Sequence, residues 1–268
     1  MRAAIVGVGL IGGSLGLAWR RRGPFDTVVG VGRHTAALRA ALDLGAVDEA
    51  TTDLRAGVAQ ADLVVLAAPV RACIELLPVV AAACKGGAVI TDVASTKAAI
   101  VQAGAGSPVP FVGGHPMAGS ERTGVEAASA DLFRGATWVV TPTASTPAAA
   151  LDLVVSAIAA TEARLVRMDA EAHDRYVAAA SHLPQAAAVA LAASVPAAAL
   201  QVAAAGYRDM TRLASSSPEV WNDIFATNRE NVVAAIAAME GSLATLRQAI
   251  AAGDEAGVRA LFERAARR

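Results

Sequence analysis

A chain of 268 residues can hold one large domain or two modest ones, each with a real core. Its apolar share of 55% owes much to alanine, a strong helix former that lets helices pack closely without adding bulk. With 4% aromatic residues the chain does not read as a base-stacking nucleic-acid platform, and a net charge of −1 with dispersed Lys and Arg implies neither a polyanion partner nor an anionic membrane surface.

The first predicted strand is Arg2–Val6. Gly7-Val8-Gly9-Leu10-Ile11-Gly12 follows it and opens a helix over Leu10–Arg21. In such a turn the first glycine permits the tight bend and the second lets a pyrophosphate approach the backbone. The third lets helix and strand pack closely, with the phosphates at the positive helix end. Leu10 and Ile11 belong to the same cofactor-binding stretch. The region from Met1 to Trp19 also looks like a secretory leader, with its early Arg2 and apolar run. Gly7, Gly9, Gly12, Gly13 and Gly16 break that run, it lacks a clear cleavage site, and Arg20, Arg21 and Arg22 follow. No other segment reads as a clean membrane span, so a soluble, cytoplasmic protein is expected.

Thr27–Val31 is the second predicted strand. An NAD site usually places Asp or Glu near its end, to bind the ribose 2′-hydroxyl. Here the chain reads Gly32-Arg33-His34-Thr35. Gly32 removes the acidic side chain, and Arg33 suits a 2′-phosphate or the adenine face, so NADP is expected in preference to NAD. The plainer alternative makes Arg33 a solvated loop residue with both cofactors accepted. Thr35 either donates a hydroxyl or caps the next helix.

Further strands are predicted at Leu63–Ala67, Ala88–Thr91, Phe111–Val112, Trp138–Thr141 and Arg164–Met168, alternating with helical segments. That alternation predicts a parallel, doubly wound Rossmann-type α/β sheet over residues 1–168. Ala67-Ala68-Pro69 ends one strand and is expected along the nicotinamide half of the cofactor. Asp92-Val93-Ala94-Ser95-Thr96-Lys97 follows the next. Gly113-Gly114-His115-Pro116-Met117-Ala118-Gly119-Ser120-Glu121 then places a lone histidine in what reads as a glycine-rich loop, badly placed for a core residue. Its ordinary pKa range suits general base work.

After Met168 strand signals vanish. Helices are predicted over Glu171–Val195, Ala197–Ala214, Pro218–Thr227, Arg229–Ala252 and Glu255–Ala266, with Pro184 and Pro196 kinking or interrupting the first. Ser217 reads as an N-cap with Pro218 at the first helical position. The apolar positions are too many for a one-sided surface helix, so burial on more than one face is expected. Residues 169–268 are therefore read as an all-α domain that binds substrate and forms much of a homodimer interface. Polar groups embedded in it, at Ser181-His182 and from Tyr207 to Arg212, need partners or a ligand. His34 and His173 are read as surface residues. Cys73 and Cys84 form no metal or redox pattern and fit a reducing compartment.

Together these segments resemble the prephenate/arogenate dehydrogenase family of tyrosine biosynthesis, over nearly the whole chain. The most specific parts are the G-G-H-P-M-A-G-S-E stretch from Gly113, S-H-L-P from Ser181, and the run from Arg208 to Trp221. The resemblance implies NAD(P)-dependent oxidative decarboxylation of a cyclohexadienol. His115 matches the family's catalytic histidine, and Ser95 the serine that hydrogen-bonds the same hydroxyl. Arg212 matches the substrate-binding arginine and suits bidentate capture of a carboxylate. His182, Trp221 and Glu121 match positions lining the same pocket, Glu121 gating it or binding an amine. His182 ordering a helix contact and Trp221 serving as core are the plainer alternatives. Gly32 departs from the family's commonest pattern, and no regulatory or chorismate mutase module is expected. Competing readings are a dehydrogenase of 4-amino-4-deoxyprephenate, another β-hydroxyacid- or imine-type enzyme, and a non-catalytic NADP-binding redox sensor.

Overall fold

The computed structural model describes residues 1–120 and 122–267. Strand and helix alternate from the start: β1 (Arg2–Val6), α1 (Leu10–Arg22), β2 (Thr27–Val31), α2 (Thr35–Asp43), β3 (Glu49–Thr51) and α3 (Leu54–Val58). Then come β4 (Leu63–Leu66), α4 (Val70–Ala83), β5 (Val89–Asp92), α5 (Ala98–Gly104) and β6 (Phe111–Pro116). Past a 3-10 turn at Val125–Ala127 lie β7 (Thr137–Thr141), α6 (Ala148–Ala159) and β8 (Arg164–Arg167). The strands form one sheet in the order β3-β2-β1-β4-β5-β6-β7-β8, with β6 and β7 antiparallel and every other pair parallel. The expected Rossmann-type sheet is therefore present with one reversal. Among the described residues no α-helix separates β6 from β7, whereas a parallel return usually runs through one.

Alternation along the central strands explains why the sheet is covered on both faces. Ala3 and Ile5 of β1, with Leu63 and Val65 of β4, pack into one core beside Leu15, Trp19, Val154 and Ile158. Ala4, Val6, Val64 and Leu66 point to the opposite core, against Cys73, Leu77, Val80 and Ile100. Each fully buried Val, Leu or Ile among them is worth about 1.5–3 kcal/mol. Met1 to Trp19, the stretch that looked like a leader, thus supplies the central strand and the first helix. Trp19 ties α1 to α6 by donating its indole N–H to the Ala157 carbonyl at 2.8 Å.

The later part is helical: α7 (Ala170–Val177), α8 (Leu183–Ser194), α9 (Ala205–Thr211), α10 (Pro218–Thr227), α11 (Arg229–Ala251) and α12 (Glu255–Ala266). Contacts divide the chain into two compact units. One is Met1–Tyr176 with Ser215–Asn228; the other is Val177–Ala214 with Arg229–Arg268. Within the second, α8 packs on α9 and α11, and α11 on α12. Ser217 caps α10 as expected, accepting from the Val220 amide. Pro184 does not interrupt the helix. A π-helical turn at Ala178–His182 joins α7 to α8, and Pro184 falls where α8 begins, so its missing N–H costs little.

Two expectations need correction. Ala170–Ser194 is a 25-residue helical run long and apolar enough to cross a membrane by length and composition. Its apolarity is largely alanine, and its first turns bury His173 and Asp174 among hydrogen-bond partners. Nor are the later helices buried on several faces. Val232 is the buried residue of α11, α12 has none, and Val233, Leu243, Ile250 and Phe262 (69%) are exposed. Their apolar faces outrun what this chain can cover by itself.

Candidate active site

The glycine turn has the shape its spacing requires. Gly7 sits at φ +106°, and an added Cβ there would lie 2.3 Å from the Ala67 carbonyl oxygen. A Cβ on Gly12 would lie 2.0 Å from the Gly7 oxygen, so helix and turn meet backbone to backbone. Gly9 is different: a Cβ there meets nothing within 4 Å. It precedes α1 as an N-cap with no side-chain bond, so the first amides of α1 face open space of the kind a pyrophosphate fills. Leu10 and Ile11, half-buried, begin the helix. The loop after β4 closes the other side, with Ala67 donating to Val6 at 2.8 Å and Pro69 preceding α4. Ala68 packs beside the core under α4. These residues fit a dinucleotide.

At the end of β2, Gly32 has room for a side chain. An added Cβ meets Leu38 at 3.4 Å and Val8 at 3.8 Å, both ordinary van der Waals contacts, and φ is not positive. Packing does not demand the glycine. Arg33 and His34 are exposed, and Arg33 makes no ion pair among the described residues. His34 is the N-cap of α2, so Thr35 lies inside the helix and does not cap it.

His115 is not in a loop. It lies on β6, buried, paired across the sheet with Val139 of β7. The preceding glycines are required by close packing rather than by flexibility. A Cβ on Gly113 would come within 2.3 Å of the Thr141 hydroxyl, and one on Gly114 within 2.6 Å of the Asp92 carbonyl. The Gly114 amide donates to Asp92 Oδ1 at 3.0 Å, and its carbonyl accepts from Lys97 Nζ at 2.8 Å. Asp92 and Lys97 are both 0% exposed and pair directly. This buried ion pair clamps the residue that precedes His115.

The His115 ring leads into a second buried pair. Its Nδ1 is 2.8 Å from Nε2 of His173, whose Nδ1 is 2.8 Å from Asp174 Oδ1. The rings meet edge to face at 72°. Asp174 also accepts the backbone amides of Lys97 (2.7 Å) and Ala98 (2.9 Å). Asn228 donates to the Asp174 carbonyl at 2.8 Å, and Thr96 and Thr227 share a hydrogen bond of 2.8 Å. The reading of His173 as a surface residue is wrong: it is fully buried. Periodicity carried the signal. His173, Val177, His182, Gln185 and Ala188 are buried at spacings of three to five, so His173 lies on the inner face of its helix, where a polar group needs a partner.

Ser95 is half-buried in the β5–α5 loop, two residues before Lys97. Trp221, on α10 of the same unit, is half-buried and stacks on Phe225 with centroids 5.4 Å apart. The second unit carries His182, buried at the end of the π turn, and Arg212, exposed at the start of a 3-10 turn, Arg212–Ser215. Buried Gln185 donates to the Leu213 carbonyl at 2.8 Å and so fixes that turn. Glu121 lies outside the described residues. Cys73 and Cys84 are free. Burial, with the Asp92 charge adding to it, pushes the Cys73 thiol up to about 12, so it is inert as a nucleophile.

Residues 15–167 match the model of the prephenate dehydrogenase nucleotide-binding domain, and residues 169–264 that of the prephenate dehydrogenase dimerization domain. The chain belongs to the prephenate dehydrogenase family. Within the family it is 35% identical over 240 residues to a prephenate dehydrogenase of Bacillus subtilis, covering 85% of this chain and 64% of that one. A crystal structure of prephenate dehydrogenase from Aquifex aeolicus, in complex with hydroxyphenyl propionate and NAD+, superposes with a TM-score of 0.90. It is 33% identical, over 100% of this chain and 97% of that one. Synechocystis arogenate dehydrogenase gives 0.86 at 29% identity, over 98% and 97%. The glycine turn lies before the first matched residue, so its dinucleotide chemistry rests on geometry independent of that match.

Proposed function

We propose that this chain catalyses the oxidative decarboxylation of prephenate or arogenate, with NADP preferred to NAD, as a homodimer in the reducing cytoplasm. The observation that carries the reading is the placement of His115. It stands at the C-terminal end of β6, on the edge of the sheet where the β1 glycine turn also opens, which is where ligands of such sheets bind. Relatives bear both names, prephenate and arogenate dehydrogenase.

In the proposed reaction His115 Nε2 takes the proton of the C4 hydroxyl, and Ser95 hydrogen-bonds the same oxygen. A bound nicotinamide supplies the acceptor for the hydride that leaves C4. The C–C bond to the ring carboxylate breaks, its electron pair completes the aromatic ring, and CO2 departs. Aromatisation provides much of the driving force, so the protein has mainly to align and to hold a proton. Arg212 is assigned to a substrate carboxylate, which a guanidinium fork grips bidentately. Gripping the departing carboxylate tightly would stabilise the ground state and slow its loss. His182 and Trp221 are assigned to the walls of the substrate site. The exposed apolar faces of α11 and α12 are assigned to the partner subunit, in keeping with the dimerization domain they match.

Turnover of purified protein with prephenate and arogenate, each with NAD and NADP, tests the reading. Reduced cofactor from at least one pair is expected, and none from any pair overturns it. Gly32 and the uncommitted Arg33 support NADP. Gly32→Asp places a carboxylate where the Cβ has room, so the ratio of kcat/KM for NADP over NAD should fall about 10- to 100-fold, as expected for one charged hydrogen bond exchanged for a repulsion. An unchanged ratio would remove this stretch from cofactor choice.

A further inference from the structure

We propose that His173, held by Asp174, is a positioning residue that fixes the His115 imidazole with its proton on Nδ1 and its lone pair on Nε2. The proposal rests on the reading of His115 as the proton acceptor and adds how that role is set.

The chain of donors and acceptors runs one way. Asp174, as a carboxylate, only accepts: Oδ1 takes the Lys97 amide and Oδ2 the Ala98 amide. His173 Nδ1, 2.8 Å from Oδ1, is therefore the donor and carries a hydrogen. A neutral imidazole with hydrogen on Nδ1 has its lone pair on Nε2, and that atom is 2.8 Å from His115 Nδ1. Two lone pairs cannot face each other at that distance, so His115 Nδ1 holds the hydrogen and donates it. Its Nε2 is then the basic atom. When Nε2 takes the substrate hydroxyl proton, the Nδ1 hydrogen stays on His115, and the new positive charge is opposed through His173 by the Asp174 carboxylate.

The arrangement is rigid as well as directional. His173 is fully buried, Asp174 is fixed by two backbone amides of the α5 entrance, and Asn228 holds the α7 backbone at the Asp174 carbonyl. Among neutral groups, one that accepts at the position of His173 Nε2 preserves the His115 tautomer. A group that cannot reach it releases the ring to either form. A dyad in which a second group holds the base in the correct tautomer is worth up to about 10⁴ in kcat elsewhere.

His173→Ala and His173→Asn are expected to lower kcat about 10²- to 10³-fold, with KM and cofactor Kd changed less than about two-fold. His173→Gln, whose side-chain oxygen reaches the place of Nε2, should recover about ten-fold of that loss. Nitrogen NMR of histidine-labelled wild-type protein with NADP bound reads the tautomer without any turnover, and His115 should be protonated at Nδ1. Protonation at Nε2 in the wild type, a His173→Ala enzyme with unchanged kcat, or a Gln variant no better than Ala would each overturn the proposal. If no cyclohexadienol substrate is turned over, the proposed reaction fails, while the NMR result still decides the tautomer.

Discussion

Lys97→Met is expected to lower the melting temperature of the protein by about 6–20 °C. Lys97 and Asp92 are both wholly buried, and the lysine ammonium donates to Asp92 and to the Gly114 carbonyl. Removing one partner of a buried pair leaves a charge in the core, which costs about 3–5 kcal/mol, and each kcal/mol moves the melting point of a domain this large by about 2–4 °C. The damage should reach the chemistry, because Asp92 and Lys97 hold the two polar backbone groups of Gly114, next to His115. Calorimetry with parallel kinetics checks both parts. A shift below about 2 °C would mean that the pair stabilises the fold no more than an exposed ion pair does.

His115→Ala should lower kcat about 10²- to 10⁴-fold, the usual contribution of a general base. Cofactor Kd should stay within about two-fold, because the glycine turn that holds the phosphates is built from β1 and α1. The cavity left on β6 costs some stability, so the comparison is made well below the melting temperature. Titration of the variant with NADP separates the two roles: retained binding with lost turnover is expected. Near-normal kcat would mean that another group takes the hydroxyl proton.

Much of the sheet was legible in the sequence, because the central strands are short apolar runs bounded by Gly, Pro, Asp or Ser. Most of the predicted boundaries fall within a residue of those found. β3 was not legible: Glu49–Thr51 is a short, largely polar edge strand, held by register with Val29–Val31 rather than by its own apolar pattern. β6 was read too short for the opposite reason. Gly113-Gly114 has the composition of a loop, yet both glycines exist because Thr141 and Asp92 leave no room for a Cβ. Only the packing of neighbouring elements tells a crowded strand from a loose turn.

The site was legible in part for similar reasons. The glycine spacing and the residues around His115 stood out because their chemistry is unusual for their surroundings. His173 did not, since a His-Asp dipeptide near a helix start looks like a solvated first turn. The near-helical spacing from His173 to Ala188 places it inward, and that signal was in the sequence. What the sequence does not contain is the partner, because His115 precedes His173 by 58 residues and meets it only through the fold.

The central claim is that hydride removal and loss of the carboxylate are one reaction at this site. It is tested most directly by measuring reduced cofactor and CO2 together, with the aromatic product identified, using the better of prephenate and arogenate. One CO2 for each reduced cofactor, with 4-hydroxyphenylpyruvate from prephenate or tyrosine from arogenate, is the result expected. Reduced cofactor formed without CO2, or no reduction with either compound, would contradict it.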